Sequence, residues 1–323
     1  MIAGIAVLLA FALDWFLGDP PTTLHPVRAM GSWISFFSNQ SLRIPAKKKL
    51  GRFLAGTASV LAGAAFFAAL LFFVERRTAS LPVPAKILLD VLLLKPMFTL
   101  RGLLRAGTEI RDALVKGDLV EARRLTGWHL VSRDTSRLSE SEIASAVIES
   151  LAENLTDSFF APLLFFAVGG LPAVWGYRFV NTADAMIGYR NEKWNWIGKT
   201  GARLDDLLNY LPARLCALAL CAGAAACGAD ARNGWALLRS DHGKTESPNA
   251  GWTMAAAAGA LGVRLTKPGC YVLNERGREP LQNDIQTTIH LTGTAAAFLA
   301  FLLLLCKIIF VLIFKYIYDS FHI

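Results

Sequence analysis

Residues 53–74, from Phe53-Leu54-Ala55 to Phe72-Phe73-Val74, are 22 consecutive positions without a charged side chain. A helix needs about 20 apolar residues to cross a hydrocarbon core of ~30 Å, so this run restricts the chain to folds that accommodate a membrane span. It has company. Residues 293–318 are comparably apolar, interrupted by Lys307 and Lys315, and Ile2–Leu17 is shorter and carries Asp14. This first segment lacks a basic leader and a small-residue cleavage site, and reads as a retained helix rather than a signal peptide. With 54% hydrophobic and 18% charged residues, the 323-residue chain is too apolar for a soluble domain.

The net charge of +8 does not point to nucleic acid, because the bases are dispersed among apolar segments. Flanks such as Lys47-Lys48-Lys49 and Arg76-Arg77 suit cytoplasmic loops and lipid headgroups, so the lipid bilayer is the expected partner. The five cysteines form no CxxC pair, which argues against a zinc site or a disulfide framework.

The expected fold is all-α: a polytopic integral membrane protein with about four to six membrane segments, one of them broken or re-entrant, plus extramembrane helices. It reads as a single membrane-embedded domain over residues 1–323. Within it, residues 101–141 read as an extramembrane helical hairpin broken at Gly117-Asp118, 142–212 as the core catalytic region and 230–292 as a hydrophilic loop region. The stretch 85–100 contains Asp90 and Lys95 and fits a membrane, interfacial or buried helix equally well. Residues 213–229 form a further apolar helix. The main topological question is 159–177, long enough to cross but broken by Gly169-Gly170-Leu171-Pro172. A continuous helix would hold the polar clusters on its two sides ~30 Å apart, whereas a re-entrant pair of arms would return the chain to one side, and the latter is favoured.

Those clusters carry the chemistry. On a helix, Glu149, Glu153 and Asp157 recur at i, i+4 and i+8 and line one face. Like charges so close at a membrane edge call for a cation, and carboxylate and amide oxygens, including Asn154, suit Mg²⁺. The alternative is a solvated face whose acids find Arg133 or Arg137. Beyond the break lie Arg178, Asn181, Asp184 and Arg190, followed by Arg203, Asp205, Asp206 and Asn209. Guanidinium groups fork onto phosphate oxygens, so the combined pattern reads as Mg²⁺-assisted handling of a phosphorylated substrate. His25, held before Pro26, and Arg28 form a further candidate anion contact, against a purely structural loop histidine. Ser247, Asn249 and Trp252 lie in a Gly/Asn/Pro loop suited to close ligand approach or to a plain turn. No GxxxxGK[ST] or G-x-G-x-x-G is present, and no serine or cysteine sits in a nucleophile motif.

The runs Asp14-Trp15-Phe16-Leu17-Gly18-Asp19-Pro20-Pro21, His25-Pro26-Val27-Arg28, Glu149-Ser150-Leu151-Ala152-Glu153-Asn154, Asn181-Thr182-Ala183-Asp184-Ala185-Met186-Ile187-Gly188-Tyr189-Arg190, Ala202-Arg203-Leu204-Asp205-Asp206 and Ser247-Pro248-Asn249-Ala250-Gly251-Trp252 resemble the adenosylcobinamide-phosphate synthase family of cobalamin biosynthesis, the CbiB/CobD membrane proteins. The resemblance extends from the first helix to about residue 271. It implies a multi-pass enzyme of the cell (inner) membrane, working on the cytoplasmic face, that amidates adenosylcobyric acid with (R)-1-amino-2-propanol or its O-phosphate. ATP and Mg²⁺ are the implied co-substrate and cofactor, and other membrane enzymes of cobalamin assembly are implied partners. On this footing Glu149, Glu153, Asp184 and His25 are expected to be catalytic. Arg28, Arg178, Asn181, Arg190, Arg203, Ser247, Asn249 and Trp252 are expected to bind substrate or phosphate, and Glu149, Glu153, Asn154, Asp157, Asp205 and Asp206 to hold the metal. A corrinoid or organic-anion transporter, and a Mg-dependent membrane prenyltransferase, are the alternative classes.

Overall fold

In the computed structural model, residues 2–21, 23 and 25–321 are described. The helices are α1 (Ile2–Leu17), α2 (Pro26–Leu42), α3 (Lys49–Arg77), α4 (Val83–Leu94), α5 (Arg101–Val115), α6 (Leu119–His129), α7 (Glu140–Asn154), α8 (Ala161–Ile187), α9 (Lys199–Leu208), α10 (Tyr210–Ala226), α11 (Ala231–Asp241), α12 (Ala250–Leu261) and α13 (Gln282–Phe321). A π-helical turn (Leu155–Phe160) joins α7 to α8, and the strands β1 (Leu265–Lys267) and β2 (Tyr271–Leu273) form an antiparallel hairpin. Among the described residues, three stretches are long and apolar enough to cross a membrane: Lys49–Arg77, Glu140–Ile187 and Gln282–Ile309. The bent pair α9 and α10 counts as a fourth if taken as one span. The all-α membrane class expected from the sequence is the one observed.

The chain divides into two compact units. Unit 1 comprises Met1–Thr99, Ala161–Leu208 and Leu303–Ile323; unit 2 comprises Leu100–Phe160 and Asn209–Leu302.

Unit 1 is organised by a fold-back inside α8. Gly169 and Gly170 leave helical geometry, and Gly170 sits at φ 67, ψ −157, a region that only glycine enters without strain. The Phe165 and Tyr177 rings then stack at 4.8 Å. Twelve residues of continuous helix would rise ~18 Å, too far for two side chains to bridge, so the two arms fold back on each other. The second arm restarts at Leu171, whose amide donates to Glu75 Oε1 on α3 at 3.0 Å. That carboxylate caps an otherwise orphaned donor at a helix start. Pro172 is tolerated because it falls in the new first turn. From there the arm follows α3: Phe67 stacks on Trp175 and Phe179, and the missing side chain of Gly63 makes room for the Phe179 ring.

The buried charges around α1 and α4 are settled by local pairing. Lys95, 6% exposed just after α4, bridges Asp14 at 3.0 Å and Asp19 at 2.8 Å, while buried Asp90 pairs with Lys86 one turn away. Asp90 and Lys95 are thus buried, while Leu88 and Leu92 on α4 stay exposed.

Unit 2 packs α5, α6, α7 and the start of α13 around Ile110, Leu114, Leu125, Ile143, Val147, Leu151, Ile285 and Ile289. Helix α5 shows why: Leu103, Ala106, Gly107, Ile110, Ala113 and Leu114 recur at helical spacing and are buried. The turn to α6 occurs at Gly117, with φ +74.

Replacing Gly170 by alanine should destabilise the protein by about 1–3 kcal/mol, because it combines forbidden backbone with a Cβ placed 2.8 Å from Glu75 Oε1. Gly176→Ala, whose Cβ would meet Ala68 at an ordinary 3.6 Å, should cost far less. Equilibrium unfolding in detergent distinguishes the two.

Candidate functional site

The carboxylate column begins on α7, which a capping box between Ser139 and Glu142 starts cleanly. Glu149 is only 6% exposed. Its Oε1 accepts from Ser145 Oγ and its Oε2 from the Tyr271 hydroxyl, both at 2.7 Å. Ser145 Oγ in turn accepts from the Thr266 amide at 2.8 Å. The β1–β2 hairpin is therefore strapped to α7 at both strands through one carboxylate. The strap depends on the turn Lys267-Pro268-Gly269-Cys270, where proline presets φ and Gly269 takes φ +73. Burial pushes the Tyr271 phenol well above its ordinary pKa. The carboxylates of Glu149 and Glu153 push it the same way against Arg133, so it remains a donor.

Glu153 and Asn154 follow, both half-buried. The Asn154 amide donates to Ser150 O at 2.9 Å and accepts from Ser158 Oγ at 3.0 Å, tying the α-helical turn to the π-helical one. Asp157 lies inside that π turn, which holds one more residue than an α turn. The i, i+4, i+8 register thus describes Glu149 and Glu153 but not Asp157. Among the described residues, no three His, Cys, Asp or Glu side chains converge as a metal cage.

The second cluster lies in unit 1, where Asn181 is the joint. Its Oδ1 accepts from Arg178 Nη1 at 3.2 Å, and its Nδ2 donates to Asp205 Oδ1, on α9, at 3.1 Å. Asp205 is buried, Asp206 half-buried, and Arg28, Arg190 and Arg203 are exposed. Glycine makes the approach of α9 possible. A Cβ on Gly198 would sit 1.7 Å from Ile187 O, and one on Gly188 would sit 2.0 Å from Asp184 Oδ1.

His25 caps α2, its Nδ1 accepting the Val27 amide at 3.3 Å. The neutral ring therefore carries its proton on Nε2 and offers a donor. Burial lowers its pKa, Asp19 opposes this, and Arg178 and Lys95 add to the lowering. This tautomer suits the anion contact expected of His25.

In unit 2, Ser247 Oγ accepts the amides of Asn249 and Ala250 at the start of α12, and Asn249 Oδ1 accepts from Arg214 Nη1 at 3.2 Å. Trp252 packs its indole on His242, with ring centroids 4.3 Å apart.

The family model described as CobD/Cbib protein matches residues 7–306. The chain belongs to the CobD/CbiB family. Among this member's relatives, the cobalamin biosynthesis protein CobD of Dehalococcoides mccartyi is 40% identical over 288 residues, 89% of this chain and 92% of the relative. The protein of the same name from Geobacter metallireducens is 40% identical over 272 residues, 83% of each chain. That of Photorhabdus laumondii is 37% identical over 286 residues, 88% of each. No solved structure matches.

The candidate site residues of this CobD/CbiB member are divided between the units: Glu149, Glu153, Asn154, Asp157, Ser247, Asn249 and Trp252 in unit 2, and His25, Arg28, Arg178, Asn181, Asp184, Arg190, Arg203, Asp205 and Asp206 in unit 1. Sequence reasoning did not single out Ser145, Tyr271, Glu75 or His242. Ser145 had a signal, standing four residues before Glu149 on the same face. Tyr271 had only its place after a Pro-Gly turn.

Tyr271→Phe should destabilise unit 2 by about 1–3 kcal/mol by leaving a buried carboxylate oxygen without its donor. Glu149→Gln should cost less, since an amide oxygen still accepts from the phenol; denaturant titration of both variants checks the order. For His25 the folded pKa lies below 6.5, so the stability linked to it is present above pH 6.5 and is lost as pH falls through the lowered value. Melting temperature between pH 7 and 5 should therefore fall more steeply for wild type than for His25→Gln.

Proposed function

We propose that this protein is a membrane-embedded amide synthase. It joins a propionate of adenosylcobyric acid to (R)-1-amino-2-propanol or its O-phosphate, giving adenosylcobinamide or its phosphate with consumption of ATP. Family membership supports the pathway. The observation that carries the chemistry is the bonded chain Arg178–Asn181–Asp205, which joins a guanidinium to a buried carboxylate through an amide from two of the family-like motifs.

A carboxylate and an amine do not condense at neutral pH, because the carboxylate lacks a leaving group. In the proposed reaction a propionate oxygen attacks the γ-phosphorus of ATP and ADP leaves. The amine nitrogen then attacks the acyl carbon, loses a proton, and inorganic phosphate departs. Arg28, Arg178, Arg190 and Arg203 neutralise phosphate oxygens, and the His25 Nε2–H donates to one. Asp184, in the same unit as these arginines, takes up the protons. Mg²⁺ commonly uses one or two carboxylates together with waters and phosphate oxygens, so Asp205 and Asp206 suit a metal that arrives with ATP better than one held in a protein cage. When bound, that ion would supply charge neutralisation at the phosphates.

Membranes containing the protein, given adenosylcobyric acid, aminopropanol phosphate, ATP and Mg²⁺, should accumulate an amidated corrinoid, detected by mass spectrometry, and chelation of Mg²⁺ should stop its formation. Asp184→Ala should lower the rate by at least ~10²-fold with the protein still inserted and folded. Full activity in this variant contradicts the role assigned here, and uptake of labelled corrinoid without chemistry would indicate a transporter.

A further inference from the structure

We propose that the cavity bounded by Arg214, His242 and Trp252 in unit 2 binds a small phosphate monoester. The cavity measures about 370 Å³ and opens beside the start of α10 and the link between α11 and α12. Arg214 is its cation. The guanidinium lies 3.4 Å from the Tyr210 ring centroid and 4.5 Å from that of Trp252, an aromatic clamp that fixes its plane. Its Nη1 donates to Tyr210 O at 2.5 Å and to Asn249 Oδ1 at 3.2 Å, and among the described residues it makes no ion pair. Five N–H groups with two acceptors, both on one nitrogen, leave a fork for an anion.

A second donor stands beside it. The Trp252 Nε1–H is buried with no acceptor among the described residues, and a buried orphan donor marks a place for an unseen polar group. Thr245 and Ser247 line the same cavity, the Thr245 hydroxyl donating to Ser247 O at 2.8 Å. Trp252 is already engaged by Arg214 and His242, so the cavity offers charge and donors rather than a stacking platform for a nucleobase. Glu246 is the acid in the lining and His242 the other titratable group. A ligand with an amino group as well as a phosphate matches both signs, and bare phosphate should bind more weakly. The site rests on the synthase reading above only for the natural ligand, which would then be the amino-alcohol phosphate.

The test uses the full chain in phosphatidylcholine nanodiscs, titrated calorimetrically with O-phosphoethanolamine and with inorganic phosphate. Phosphoethanolamine should bind more tightly than phosphate. Arg214→Gln should weaken it about tenfold or more by removing charge-assisted bonds. Trp252→Phe, which keeps a ring and removes only the indole donor, should weaken it several-fold with unfolding unchanged. Equal affinity in wild type and both variants overturns the site. So does phosphoethanolamine binding that disappears when phosphatidic acid is added to the discs, which would assign the cavity to a lipid headgroup. Activity separates the two ideas. Ligand binding by a wild type that forms no amidated corrinoid sinks the synthase reading and leaves the site. Amidation with an unchanged KM for the amino-alcohol phosphate in both variants sinks the site and leaves the reading.

Discussion

One hydrogen bond, from the Leu171 amide to the carboxylate of Glu75, makes the fold-back of α8 possible. Breaking a helix strips backbone donors of their partners, and each must find another acceptor. Glycine at 169 and 170 supplies the bend, proline at 172 restarts the helix, and Glu75 satisfies the amide thus exposed. The rest of unit 1 depends on this bond. The second arm runs along α3 with Phe179 seated against Gly63, and this fixes where Arg178 and Asn181 emerge to meet Asp205.

The same constraint governs the ionisable groups deeper in the molecule. A buried charge without a partner costs several kcal/mol, and the chain avoids that cost by local pairing. Lys95 takes Asp14 and Asp19 together. Glu149 is satisfied by two hydroxyls instead of a cation, and its position on α7 turns a catalytic-looking acid into the anchor of the β1–β2 hairpin. The groups that remain at half-buried or exposed positions, among them Glu153, Asp184, Asp206, Arg190 and Arg203, are those a substrate can reach without dismantling the fold.

Much of this was legible before any coordinates. Uncharged runs announced the membrane helices, and Gly-Gly-Leu-Pro announced the break, because backbone propensity is written locally. The motif runs announced the family for the same reason. The π-helical turn at Leu155–Phe160, which displaces Asp157 from the acidic column, was not legible, because its residues read as ordinary helix. Nor were Tyr271 and Glu75, whose partners stand 122 and 96 residues away. Arg214 was visible as one base among several; only the folded chain sets it between Tyr210 and Trp252.

The fold-back is the claim on which unit 1 rests, and cysteines at 165 and 177 test it most directly. A short bifunctional thiol reagent applied to Phe165→Cys/Tyr177→Cys in native membranes should join the two positions within one chain in high yield, because the native rings stack at 4.8 Å. A straight membrane helix would hold the same positions ~18 Å apart along its axis, and failure to cross-link, with both thiols shown to be reactive, would contradict the fold-back.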